Sequence, residues 1–148
     1  MQENYKHTTF AEIDLGAIAH NVQLLRERIG PNVALFAVVK ANGYGHGSVE
    51  VARTALAHGA TRLAVARASE GVELRQAGID APILVMGYHV PAEAGLFVAY
   101  DLTATVNTAV FAQNLSAIAQ NQNKTATIHV KVDTGMGRYG LLPDEVVP

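Results

Sequence analysis

The sequence predicts an α/β fold: a parallel sheet of about five strands with helices between them, curved into part of a (β/α)8 TIM-type barrel. Three observations carry that expectation. Short apolar runs alternate along the chain with stretches whose apolar residues recur at three- and four-residue steps, which is the βαβ pattern. The runs are apolar on both faces, as strands of a parallel sheet covered by helices must be. At the end, "LLPDEVVP" begins another helix, with Pro143 at a good first helical position and Asp144 and Glu145 in the opening turn. Strand count alone fits an open doubly wound sheet, because a closed barrel needs eight strands and roughly 250 residues. The newly begun helix favours the barrel arc, with residues 1–148 as the N-terminal portion of a longer barrel domain.

Each element follows from local pattern. "TTFAEIDL" reads as a short N-terminal strand segment, residues 1–13 forming a stretch apart from the barrel. Leu15, Ile18, Val22, Leu25 and Ile29 then mark one helical face, with Asp14 able to cap its start and Gly30-Pro31 ending it. Strands are expected at 34–39, 62–66, 82–86, 102–106 and 126–133. Between them fall a helix of about ten residues from Ser48, one around Ser69–Ala77 stopping at Gly78, and one presenting Phe111, Leu115 and Ile118.

Composition narrows the function classes. The chain of 148 residues is 49% hydrophobic and 16% charged, enough to bury a core and too apolar to be disordered. A net charge of −2 with no clustered Lys and Arg argues against a nucleic-acid partner. No apolar run approaches the ~20 residues that cross a bilayer, so no membrane role is expected. Cysteine is absent and "MQENYKHTTF" lacks a signal-peptide layout, which makes the cytoplasm the expected compartment.

Chemistry is expected at the C-terminal ends of parallel strands. "AVVKANGYGHG" (37–47) ends an apolar strand on Lys40 and follows it with Gly43, Gly45 and Gly47. The glycines do not make a dinucleotide loop, because Ser48 stands where G-x-G-x-x-G needs its third glycine, and no Walker-type G-K-[ST] is present. In "IHVKVDTGMGRYG" (128–140), period-two alternation puts Ile128, Val130 and Val132 on one face and His129, Lys131 and Asp133 on the other. If the apolar face packs against helices, the ionisable residues point into the barrel, and "TGMGRYG" brings Arg138 to the same end as Lys40. His7, His20, His58 and His89 lack metal-ligand spacing and read as surface or helix-end residues. For His46 a loop-supporting hydrogen bond fits better than catalysis, and no metal site is expected.

"AVVKANGYGHG" and "HVKVDTGMGRYG", in that order and about ninety residues apart, resemble the two N-terminal signatures of the alanine racemases, barrel-type enzymes that use pyridoxal 5'-phosphate. "AEIDLGAIAHNVQLL" is similar to that family's opening segment, so the resemblance covers nearly the whole chain. It implies interconversion of L- and D-alanine through an external aldimine, with Lys40 forming the Schiff base and acting as the base on one face. A desolvated amine of lowered pKa suits that task. It also implies that Tyr44 contacts the cofactor phosphate, that Arg138 contacts the phenolic oxygen, and that Lys131 matches a position carbamylated in many members. Arg138 and Met136 are the substrate-side residues implied. The opposite base belongs to the partner subunit of a homodimer and the pyridine-nitrogen partner also lies beyond residue 148, so the chain carries half a site. A non-catalytic pyridoxal-phosphate homeostasis protein, and a related serine racemase or decarboxylase, are the alternatives; "DTGMGR" argues against the first.

Overall fold

The computed structural model describes residues 9–146. Its sheet runs β1 (Phe36–Val38), β2 (Arg62–Val65), β3 (Ile83–Val85), β4 (Thr103–Val106) and β5 (Ile128–Val130), all parallel and adjacent in chain order. That order has no switch point, so the five strands form an arc of a barrel, as expected, and not a doubly wound sheet. Each strand lies inside its expected window and is shorter at one or both ends.

Helices α1 (Leu15–Ile29), α3 (Ser48–Ala57), α4 (Ala68–Gln76) and α6 (Ala109–Asn121) match the sequence pattern closely. Asp14 caps α1 by accepting the Ala17 N–H at 3.0 Å, and Gly30 ends it. A last helix, α7 (Pro143–Val146), starts at the proline expected to begin it. Between β3 and β4 the structure adds a 3-10 turn (Pro91–Glu93) and α5 (Ala94–Ala99), neither of which the periodicity revealed. The N-terminal strand is a further difference: residues 9–14 carry no strand, and the rest of that segment lies outside the described residues. A strand needs a ladder partner, and none of the described segments pairs with it.

Alternation sorts the sheet into two faces. Val39, Leu63, Val65, Ile83, Val85, Ala104 and Val106 form part of the core buried with Leu74, Phe97, Phe111 and Leu115 of the helices. The register puts Phe36, Arg62, Ala64, Leu84, Thr105 and His129 on the opposite, inner face, where the Phe36 and His129 rings meet edge-on at 6.4 Å. His129 therefore faces inward, as the alternation predicted. Its neighbours Ile128 and Val130 face outward but are 42% and 48% exposed, so the expected helix cover over β5 is lacking among the described residues.

Two arginines fasten the N-terminal side of the sheet. Arg26 donates to the carbonyls of Gly59, Gly30 and Val33, and Arg75 to those of Tyr100, Ile79, Ala81 and Asp101. Charge-assisted bonds from a rigid guanidinium suit it to tie several carbonyls at once. No described helix is long and apolar enough to cross a membrane.

His89 departs from its surface reading. It is 2% exposed, packed between Phe97 and Phe111 at ring distances of 4.7 and 5.3 Å, with Nε2 at 3.3 Å from the Val85 carbonyl. The unforeseen α5 supplies Phe97 and closes this pocket. Burial pushes its pKa below the usual 6.5, against the smaller opposing pull of the Val85 carbonyl and the Glu93 charge. A histidine with a depressed folded pKa takes its proton more readily in the unfolded chain, so stability is lost as the pH falls below 6.5. Urea melts between pH 7 and pH 5 should show that loss, and His89→Phe should flatten it.

Candidate active site

Parallel order brings every strand's C-terminal end to one rim, and the unusual residues gather there. Lys40 directly follows Val39, the last core residue of the β1 run, and begins a single helical turn, α2 (Lys40–Tyr44). From Ala41 to Tyr44 that turn is left-handed, with φ between 51° and 61° at four successive residues. Only one of the four is glycine. For L-residues this conformation costs roughly 1–2 kcal/mol each, less for asparagine. Strain of that kind persists only where surrounding bonds over-determine it, and it concentrates at functional sites.

The bonds are present. Val39 O accepts from Gly43 N at 2.9 Å, and Asn42 O accepts from Gly45 N at 3.0 Å and Gly47 N at 2.9 Å. The Asn42 side-chain oxygen takes the Ser48 N–H at 2.9 Å, which caps α3 in place of the glycine before it. Gly43 must be small as well as left-handed, since a Cβ there would stand 3.3 Å from Ser48 N. His46 Nδ1 lies 3.0 Å from the Gly43 carbonyl, the loop-supporting contact expected of it. Glu70, in the first turn of α4, accepts from Ala41 N at 2.7 Å through one oxygen and from Ala66 N and Arg67 N at 2.8 and 2.9 Å through the other. Partial burial raises the pKa of this carboxyl, but the three N–H donors and the Arg67 charge together outweigh it, leaving the group ionised below its usual 4.5.

The second segment folds back on itself. Val132 bridges to Leu141, with Asp133 N donating to Leu141 O and Leu141 N to Lys131 O, so residues 133–140 form a closed loop. Asp133 turns its Oδ1 to the Gly135 and Gly137 N–H groups at 2.9 and 3.1 Å. Those bonds hold its carboxyl below the usual 3.8, and its role is to build the turn that carries Arg138. Tyr139 anchors the loop: its hydroxyl donates to the Met86 carbonyl at 2.6 Å, tying it to the end of β3.

Lys40 and Arg138 line one cleft of about 260 Å³, with Ala66, Met86, Gly87 and Tyr139. Gly87 keeps that wall close, because a Cβ on it would collide with the Ala66 carbonyl oxygen. Met86, Arg138 and Tyr139 also border an adjoining cleft of about 290 Å³ that holds Lys131, His129 and Thr105. Two cations lie near the Tyr139 ring there, the Arg138 guanidinium at 5.2 Å and the Lys131 ammonium at 5.9 Å from its centroid. Tyr44 lies apart from both: it is 59% exposed and borders a neighbouring cleft with Val38 and His46. The Lys40 ammonium, 5.8 Å from the Tyr44 ring, connects the two. Met136 is 78% exposed and lines neither the Lys40 nor the Lys131 cleft. Among the described residues no cluster of His, Asp or Glu could hold a metal ion.

The profile of the family described as "Alanine racemase, N-terminal domain" matches residues 13–148. The chain belongs to that family. It is 55% identical over 140 residues to the alanine racemase of Desulforamulus reducens, covering 95% of this chain and 38% of the relative. The alanine racemase of Methanococcus maripaludis is 50% identical over 139 residues, covering 94% and 37% respectively. The solved alanine racemase of Clostridium difficile 630 superposes with a TM-score of 0.90 at 38% identity, over 95% of this chain and 37% of that one. The chain thus spans well under half the length of the alanine racemases it matches.

Sequence reasoning singled out Lys40, Lys131 and Arg138, all of which reach this rim, but assigned nothing to Glu70, Met86, Gly87 or Tyr139. Glu70 had a faint signal as an acidic residue in a first helical turn. Tyr139 had none, since its partner is a backbone carbonyl 53 residues away. Removing only that bond, Tyr139→Phe should lower stability by about 1 kcal/mol in urea melts and speed amide exchange across 133–140 while the β1–β4 ladder keeps its protection.

Proposed function

We propose that this chain supplies the cofactor-anchoring half of an alanine racemase that interconverts L- and D-alanine, works in the cytoplasm and acts as a homodimer. The observation that carries the reading is the shared cleft of Lys40 and Arg138 at the strands' C-terminal ends. Membership of the alanine racemase N-terminal family favours it over a homeostasis protein or a decarboxylase on the same barrel.

The donor set fits pyridoxal 5'-phosphate: an amine for its aldehyde, a guanidinium for its phenolic oxygen and a phenol for its phosphate. When bound, that cofactor supplies an electron sink for negative charge at the amino acid's Cα. The chain's own residues do the rest. Lys40 Nζ would be the covalent anchor for the aldehyde and, once the substrate's own amine has taken its place there, the free amine that would hold the Cα proton on one face. Arg138 stays charged at every working pH and orients the phenolic oxygen. Tyr44 would supply the phenol for the phosphate. Lys131 is the candidate for carbamylation, which would replace the repulsion of two cations beside Tyr139 by attraction to Arg138. Met136, at the exposed loop tip, is the candidate substrate contact that the resemblance implies. The base for the opposite face and the partner of the pyridine nitrogen come from outside residues 1–148.

Saturating pyridoxal phosphate should give this chain a visible covalent-lysine absorbance that Lys40→Ala removes, with no exchange of L- for D-alanine by the chain alone. A protein joining this chain to the family's remaining part should racemise alanine and lose about 10²–10⁴ in rate with Lys40→Ala. Absorbance that survives Lys40→Ala would refute the assignment of the lysine, and racemisation by residues 1–148 alone would refute the half-site.

A further inference from the structure

We propose that Glu70 is the positioning residue for Lys40: its carboxylate ties the backbone just after the lysine to the end of β2 and thereby sets the direction in which the amine leaves the sheet. The inference deepens the proposed function and rests on it for the role of Lys40. A glutamate at the third position of a helix needs only the N–H of the residue before the helix to complete a capping box. Glu70 makes that bond, to Arg67, and then exceeds it. The same oxygen also takes the Ala66 N–H, and the other oxygen is devoted to Ala41, 29 residues earlier and on a different strand's end.

The Ala41 bond is the shortest of the three at 2.7 Å and falls on the first residue of the left-handed run. Ala41 has no side chain that could hold φ at 51°, and no other hydrogen-bond acceptor for its N–H occurs among the described residues. A charged acceptor at that point orders the turn at its entry, where a change in backbone direction would swing Lys40 out of the cleft it shares with Arg138. Ala66 lines the same cleft as Lys40, so the bridge ties the backbone next to the lysine to a residue of the cleft's wall. A carboxylate can accept on both oxygens, whereas an amide has one acceptor and turns its NH2 donor toward an N–H. Glu70→Gln therefore keeps size but leaves one acceptor, which the paired N–H groups of Ala66 and Arg67 hold at the α4 end, so the bond to Ala41 is the one lost.

The test compares native chain, Glu70→Gln, Glu70→Ala and Lys40→Ala by amide hydrogen exchange and by titration of the visible lysine absorbance with pyridoxal phosphate. With Glu70→Gln, the Ala41 amide should exchange about tenfold faster or more, as expected for loss of a bond to a charged acceptor. The core amides of Leu63 and Ile83 should stay protected, and the apparent affinity for the absorbing adduct should fall by about the same factor. Glu70→Ala should do at least as much; if it unfolds, the isosteric Gln variant decides. Unchanged exchange at Ala41 in Glu70→Gln overturns the proposal. Faster exchange with an unchanged titration also overturns it, because Glu70 would then only be capping and bracing. Absorbance that persists in Lys40→Ala defeats the lysine's assignment instead, and with it any positioning of that amine by Glu70.

Discussion

The parallel ladder from β1 to β5 is the constraint on which everything else in the molecule depends. Each connection carries the chain back past the sheet so that the next strand starts on the same side as the last, and all five strands end on one rim. Two segments separated by about ninety residues of sequence thereby reach one cleft without any direct bond between Lys40 and Arg138. The opposite rim has a different character. There the charged side chains of Arg26 and Arg75 are absorbed by backbone carbonyls, a use of cations that fastens loops and leaves nothing free for chemistry.

The rim that carries Lys40 and Arg138 is held by different means. Its backbone adopts unfavourable conformations and its polar side chains are turned to hold them: Asn42 and Glu70 for the turn after Lys40, Asp133 and Tyr139 for the loop that carries Arg138. Both segments are therefore stiffened from their own first residues outward, which leaves Lys40 and Arg138 without competing ion pairs among the described residues, where Arg53–Glu50 is the one salt bridge. For the proposed function, a lysine that forms a covalent bond and an arginine that receives an oxygen gain from being positioned through the backbone and not through their own charged ends.

Much of this was legible in the residues, and the exceptions have physical causes. The five strands and α1, α3, α4 and α6 each present either a dense apolar run or several turns of one periodicity, so pattern sufficed. The six residues of α5 make fewer than two turns, too few to show a period, and the misreading of His89 followed from that omission. The left-handed turn was invisible because Ala41 and Tyr44 have no intrinsic leaning toward positive φ; the fold imposes it. The alternation of His129 and Lys131 against Ile128 and Val130 was right about direction, while the apolar face of β5 carries no helix among the described residues. Tyr44 and Met136 come from the recognised motifs, yet lie at the edge of the arrangement, because motif spacing places a residue on a loop without fixing where its side chain rests.

The central claim is that strand-end geometry, and not lysine chemistry alone, selects Lys40. The chain has three other lysines, Lys6, Lys124 and Lys131, one of them beside Arg138 in the adjoining cleft. The most direct measurement is to incubate the chain with pyridoxal phosphate, reduce the adduct with borohydride and map the label by peptide mass spectrometry, in native protein and in Arg138→Ala. Label concentrated on Lys40 and diminished by Arg138→Ala is the predicted result. Label distributed over Lys124 and Lys131 as heavily as on Lys40 would contradict it.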